Sequence, residues 1–219
     1  MAQKKSSVKT LEEKIISAYM TYVLEHEKIP RSIYKFCKEN KITEDDFYKS
    51  FGSIEGLKKG IWTTFYQKTV DLIQKNKEFD GFTNKEKMLT FLYTFFELLN
   101  LNRSYILFAL KEQGHILKNM EQLKGLRRKV KGFAKELIEE GNSDKALKIT
   151  RHNPALFSEG AWLQFLFLLK FWSEDNSPAF EKTDMAIEKS VNTIFDVFDN
   201  TPLDSILDFG KFLFKENLA

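Results

Sequence analysis

Apolar side chains recur at helical spacing along almost the whole of this chain, and no stretch alternates apolar with polar residues as a half-buried strand would. Breakers are scarce as well. Only 10 glycines and 4 prolines serve 219 residues, too few for the turns of a sheet-rich fold. Three of the prolines follow a capping residue, as "NP" at 153, "SP" at 177 and "TP" at 201, an arrangement that opens a helix rather than breaking one. The chain is therefore expected to be all-α, with about nine or ten helices.

The N-terminal quarter reads as short helices. Thr10 and Glu13 have capping-box spacing, and Leu11, Ile15, Ala18, Tyr19, Tyr22 and Val23 follow at helical intervals, which predicts a first helix over 11–26. A second, near 31–39, places Ile33 and Phe36 on one face; after "NKIT" a third carries Phe47, Tyr48 and Phe51. Ser53 then opens a longer helix with Leu57, Ile61, Phe65 and Leu72. Another capping box, Thr83 with Glu86, starts a helix to about residue 100 that is apolar nearly all round, a pattern that belongs in an interior. Further helices are predicted over 102–113, over 115–140 with Ile116, Leu123, Val130 and Leu137 a heptad apart, and over 154–174, 178–199 and 202–217.

Composition narrows the function. With 42% hydrophobic and 30% charged residues, the chain suits a globular protein of one or two domains. A net charge of +3 is too small to argue for nucleic acid, but the whole surplus falls in residues 1–62, while 118–135 is basic and 173–219 acidic. Such separation implies surfaces with different partners. Cys37 is the single cysteine, so no internal disulfide forms, and no Cys/His spacing suits zinc; a reducing compartment fits. The basic N-terminus is not followed by a signal-peptide core, and the most apolar stretch, 161–172, falls well short of the roughly 20 residues that span a bilayer. A cytoplasmic location is expected. His26, His115 and His152 lie far apart, no serine or cysteine stands in a nucleophile motif, and the glycines form no phosphate loop, so neither enzyme, cofactor nor metal is expected.

One constellation carries a function. Two short helices joined by a tight turn can set the second in the major groove of DNA while the first braces on the backbone. Here Ile33, Phe36 and Ile42 would build the small core and Thr43 would cap the reading helix. Several spacings agree together: Ile42-Thr43, Tyr48-Lys49-Ser50-Phe51 and Glu55-Gly56-Leu57. Over residues 11–62 this pattern resembles the TetR family of transcriptional regulators; beyond it the likeness is one of helix count and length. The resemblance implies a helix-turn-helix domain over 1–52, a helical ligand-binding and dimerisation domain over 53–219, and a ligand-responsive regulator, in the usual case a repressor, on a palindromic operator in double-stranded DNA. It also implies that Tyr48 touches a phosphate, that Ser32 and Thr43 offer hydrogen bonds at helix starts, and that Arg31, Lys35 and Lys49 lend charge, with Asp46 in the same interface.

The sequence departs from that pattern in three places. Lys41 stands where the family usually has glycine, Asp45 where a small residue begins the reading helix, and Ile54 where a lysine is usual. Glu44, Asp45 and Asp46 would oppose a polyanion: like charges about 4 Å apart repel by about 1 kcal/mol in water and about 4 kcal/mol at an effective dielectric of about 20. The same acids stabilise a helix start, and a carboxylate can accept a hydrogen bond from cytosine N4.

For the rest of the chain the resemblance implies a homodimer, formed here through helices 154–174 and 178–199, whose aromatic faces ask for cover, and a cavity for a small lipophilic ligand. Phe65, Phe95, Tyr105, Phe108 and Phe133 are its candidate lining. The same fold serves a lipid-binding protein of ubiquinone biosynthesis that has lost DNA binding, so a lipid or isoprenoid carrier is the alternative. The last segment, with Leu203, Ile206, Leu207, Leu213 and Phe214, has an apolar face but too few basic residues to favour anionic lipid; membrane contact is not expected.

Overall fold

The computed structural model describes residues 10–111, 121–143 and 153–200; the helix expected over 202–217 and the beginning of the one expected over 115–140, with Ile116, lie outside them. Among the described residues there are nine α-helices and no strand: α1 (Leu11–His26), α2 (Ile33–Glu39), α3 (Glu44–Ser50), α4 (Ile54–Ile73), α5 (Asn84–Asn100), α6 (Arg103–Lys111), α7 (Lys124–Ser143), α8 (Pro154–Glu174) and α9 (Glu181–Asn200). Short 3-10 turns precede α5 (Phe79–Gly81) and α9 (Pro178–Phe180). No described helix is long and apolar enough to cross a membrane.

Helix starts follow the local chemistry of the sequence. The Thr10 hydroxyl accepts from the Glu13 N–H at 3.2 Å while the Glu13 carboxylate accepts from the Thr10 N–H at 3.0 Å, completing the capping box of α1. Thr83 and Glu86 do the same for α5. Asn153 accepts from the N–H groups of both Ala155 and Leu156, with Pro154 in the first turn of α8.

The start expected at Ser177 and Pro178 behaves differently. Residues 178–180 form a 3-10 turn with Ala179 at φ 52° and Phe180 at φ 61°, and continuous helix begins only at Glu181. The reason is a carboxylate from the preceding segment. Asp175 accepts from the Ser177 N–H and hydroxyl and from the Thr183 N–H and hydroxyl, so it caps α9 across the turn.

Packing divides the described residues into two compact units, 10–65 with 99–111 and 121–125, and 66–98 with 126–143 and 153–200. In the first unit, α1, α2 and α3 close around an aromatic core. Phe36 meets Tyr19 and Phe47 edge-on at 6.2 Å, and Tyr19 meets Tyr105 of α6 at the same separation. Cys37 and Phe47 are buried with Phe36, whereas Ile33 and Ile42, expected as core, are only half-buried. Phe51 presses on α4 at Gly60, where an added β-carbon would fall 2.6 Å from the ring. The Trp62 indole donates to Gln122, whose amide in turn donates to the Ala109 carbonyl.

The second unit is built on aromatic stacking. Phe91 stacks on Phe133 of α7 at 4.6 Å, Phe95 meets Phe165 of α8 at 5.1 Å, and Trp162 lies parallel to Phe165. Most of the apolar surface of α8 is thus covered within its own chain, by α5 and by Phe195 and other residues of α9. Leu163 and Phe167, one turn apart, are the exception at 65% and 55% exposed. Glu159 ties α8 to α7 through Arg127 and Lys131.

Candidate functional site

The segment α2–turn–α3 has the form of a helix-turn-helix. Ser32 caps α2, its hydroxyl accepting from the Lys35 N–H, and Thr43 caps α3 by accepting from the Asp46 N–H at 3.0 Å. Between them the chain reverses at Lys41, which takes φ 56°, and the Ile42 N–H returns to the Cys37 carbonyl at 2.9 Å. Glycine adopts that left-handed conformation without steric cost, which accounts for its usual place in such turns. Phe47 is driven into the core, and Tyr48, next along α3, is left 51% exposed.

Arg31, Lys35 and Lys49 all face solvent, as the sequence pattern requires of groups that lend charge. Tyr34 and Lys38 are exposed on α2 and were not singled out from the sequence; Lys41 is exposed in the turn that follows.

Charge at the tip is mixed. Glu44, Asp45 and Asp46 fill the first turn of α3, where they complement the positive end of the helix dipole. Asp45 also takes the Lys49 ammonium in an exposed ion pair one turn on; that hydrogen bond and the attendant charge raise the pKa of Lys49. Lys49 is therefore shared between a carboxylate and whatever lies outside. Burial first and the nearby Glu44 carboxylate second push up the pKa of the Cys37 thiol. Ile54 is buried at the start of α4, so the cation usual at that position is absent.

The five aromatic residues expected to line a cavity fall in both units. Phe65, Tyr105 and Phe108 belong to the first and Phe95 and Phe133 to the second. Tyr105 is buried against Tyr19, and Phe95 among Phe91, Phe96 and Phe165. Phe133 lines a cleft of about 340 Å³, bounded within the second unit by α4, the Phe79–Gly81 turn, α5 and α7. Its walls include Tyr66, Ile73, Phe79 and Leu137, together with Asp80, Lys87, Glu136 and Glu140. Burial, and then the charge of Glu136, pushes the Tyr66 phenol up to about 12. These charged groups come from positions 80 to 140, a separation that conceals their proximity in the sequence.

The family model described as "Tetracyclin repressor-like, C-terminal domain" matches residues 87–213, more than half of the chain. No curated protein and no solved structure matches it. The all-α architecture and this match agree, and the chain belongs to the tetracycline-repressor-like (TetR) family.

Proposed function

We propose that this chain is a ligand-responsive, DNA-binding transcriptional regulator, a repressor in its simplest form, acting as a homodimer on a palindromic operator. The observation that carries the reading is the geometry at residues 32–51: two capped short helices, a left-handed turn at Lys41, and an exposed Tyr48 on the second helix. Phosphate contacts from Tyr48, Arg31, Lys35, Ser32 and Thr43 would fix the register of α3 on the duplex, while Asp46 and its neighbours face the base edges. Dimerisation would cover Leu163 and Phe167, whose exposure as adjacent large apolar groups is unusual for a finished surface. The proposed location is cytoplasmic.

The test is binding to DNA from upstream of the chain's own gene across a salt series. A regulator of this kind loses affinity steeply as salt rises and keeps a preference for one palindromic site. Tyr48→Ala should weaken binding about tenfold while changing stability by less than about 0.5 kcal/mol. Equal, feeble binding to all sequences rejects the reading.

One observation favours a second reading, a TetR-fold lipid or isoprenoid carrier. Three carboxylates at the start of α3, one of them engaging Lys49, work against approach to a polyanion. Replacing Glu44, Asp45 and Asp46 with Gln, Asn and Asn separates the two: a carrier gains only sequence-independent DNA binding, whereas a reader that uses an acid at cytosine loses its site preference. A lipid retained through purification and seen by mass spectrometry would support the carrier.

A further inference from the structure

We infer that the cleft between α4, the Phe79–Gly81 turn, α5 and α7 binds a small organic cation, an ammonium or amidinium on a compact apolar body. The inference rests on reading the second unit as a ligand-binding domain, and it names the ligand class. At about 340 Å³ the cleft lies toward the small end of ligand sites, suited to a molecule of one ring rather than a long lipid chain.

The charge on its walls decides the class. Among the described residues Lys87 is the one cation lining the cleft, and its ammonium donates to both oxygens of Glu140, at 2.9 and 3.0 Å. That pair is mutually satisfied. Asp80 and Glu136 remain, and neither has an ion-pair partner among the described residues. An anionic ligand would meet these two carboxylates with no uncommitted ammonium in the wall to receive it. Both carboxylates are exposed, so a neutral lipophile would leave them to solvent and gain nothing from them. A cation pairs with them and lays its apolar body on Ile73, Phe79, Phe133 and Leu137.

The aromatic wall accepts positive charge as well. The chain's own Lys129 ammonium lies 5.3 Å from the centre of the Tyr66 ring, within the range in which a cation is drawn to an aromatic face. The expectation of a small lipophilic ligand followed from aromatic walls and few buried ionisable groups; the placement of Asp80 and Glu136 beside those rings refines it.

Calorimetric titration of the full-length protein with three probes of one body tests the inference: benzyltrimethylammonium, benzyl alcohol and phenylacetate. The cation should bind at least about tenfold more tightly than either other probe, and Glu136→Gln and Asp80→Asn should each weaken it about three- to tenfold, with unchanged melting curves. Equal binding of the three probes, tighter binding of phenylacetate, no binding of the cation, or indifference to both substitutions would each overturn it. Operator affinity with and without the cation separates this site from its regulatory role. If the cation binds at Glu136 and operator affinity does not change, the cation site stands and the ligand-responsive reading falls.

Discussion

Lys41 holds a conformation in which its β-carbon crowds the following carbonyl, at a cost of roughly 1–2 kcal/mol for an L-residue in the left-handed region. Glycine removes that crowding but adds freedom to the unfolded chain, so Lys41→Gly should raise unfolding free energy by a net of about 0.5–1 kcal/mol in chemical denaturation. The lysine side chain is exposed beside α3. If its charge assists DNA binding, the same substitution weakens operator affinity while it strengthens the fold, and the opposite signs distinguish a functional lysine from an incidental one. Tyr48 and Phe47 show how a single step along a short helix parts a surface role from a core role. Both were visible in the sequence as aromatics, and the resemblance already implied that Tyr48 is the one that turns outward.

At the scale of elements, local chemistry was the readable part. Thr10, Thr83 and Asn153 cap helices through partners two or three residues away, and such short-range patterns need no knowledge of the fold. The start of α9 was misplaced at Pro178 because its cap is Asp175, which reaches eight residues along the chain to Thr183. Burial raises the affinity of this carboxylate for its proton, but the four donors from Ser177 and Thr183 outweigh it and hold its pKa at about 2, below the ordinary 3.8. A depressed carboxylate stabilises the folded state above its unfolded pKa and loses that contribution as pH falls through the folded value. Asp175→Ala should therefore cost about 2 kcal/mol at pH 7, with the difference from wild type closing between about pH 4 and pH 2 in melts across that range. Helix α4 carries a second element-level constraint. Because a β-carbon at Gly60 would meet the Phe51 ring at 2.6 Å, Gly60→Ala should destabilise by about 1–3 kcal/mol despite the better helix propensity of alanine. Thermal denaturation checks it, and a rise in melting temperature would show that the ring yields freely.

For the molecule as a whole, periodicity was enough to establish the all-α class, since apolar residues recur at helical spacing along almost the whole chain. The cleft was not legible in the same way. Tyr66, Lys87, Phe133, Glu136 and Glu140 come together only when α4, α5 and α7 pack, and no local pattern encodes that meeting. The aromatic faces of α8 posed a related ambiguity, because a sequence cannot say whether cover comes from the same chain or another. Most of that face is covered by α5 and α9, which leaves Leu163 and Phe167 as the surface on which assembly can be tested. Phe167→Glu should convert a dimer to a monomer in analytical ultracentrifugation, and because the side chain is exposed, the isolated subunit should lose no more than about 0.5 kcal/mol. Unchanged mass would move the interface elsewhere.

A buried amide between α8 and α9 bears on how that hairpin can move. The buried Gln164 side chain donates to the half-buried Ser190 hydroxyl at 2.9 Å. Sliding one rod past the other by a single turn would take the buried Gln164 amide away from its partner, so the bond favours movement of the pair together, with its register kept.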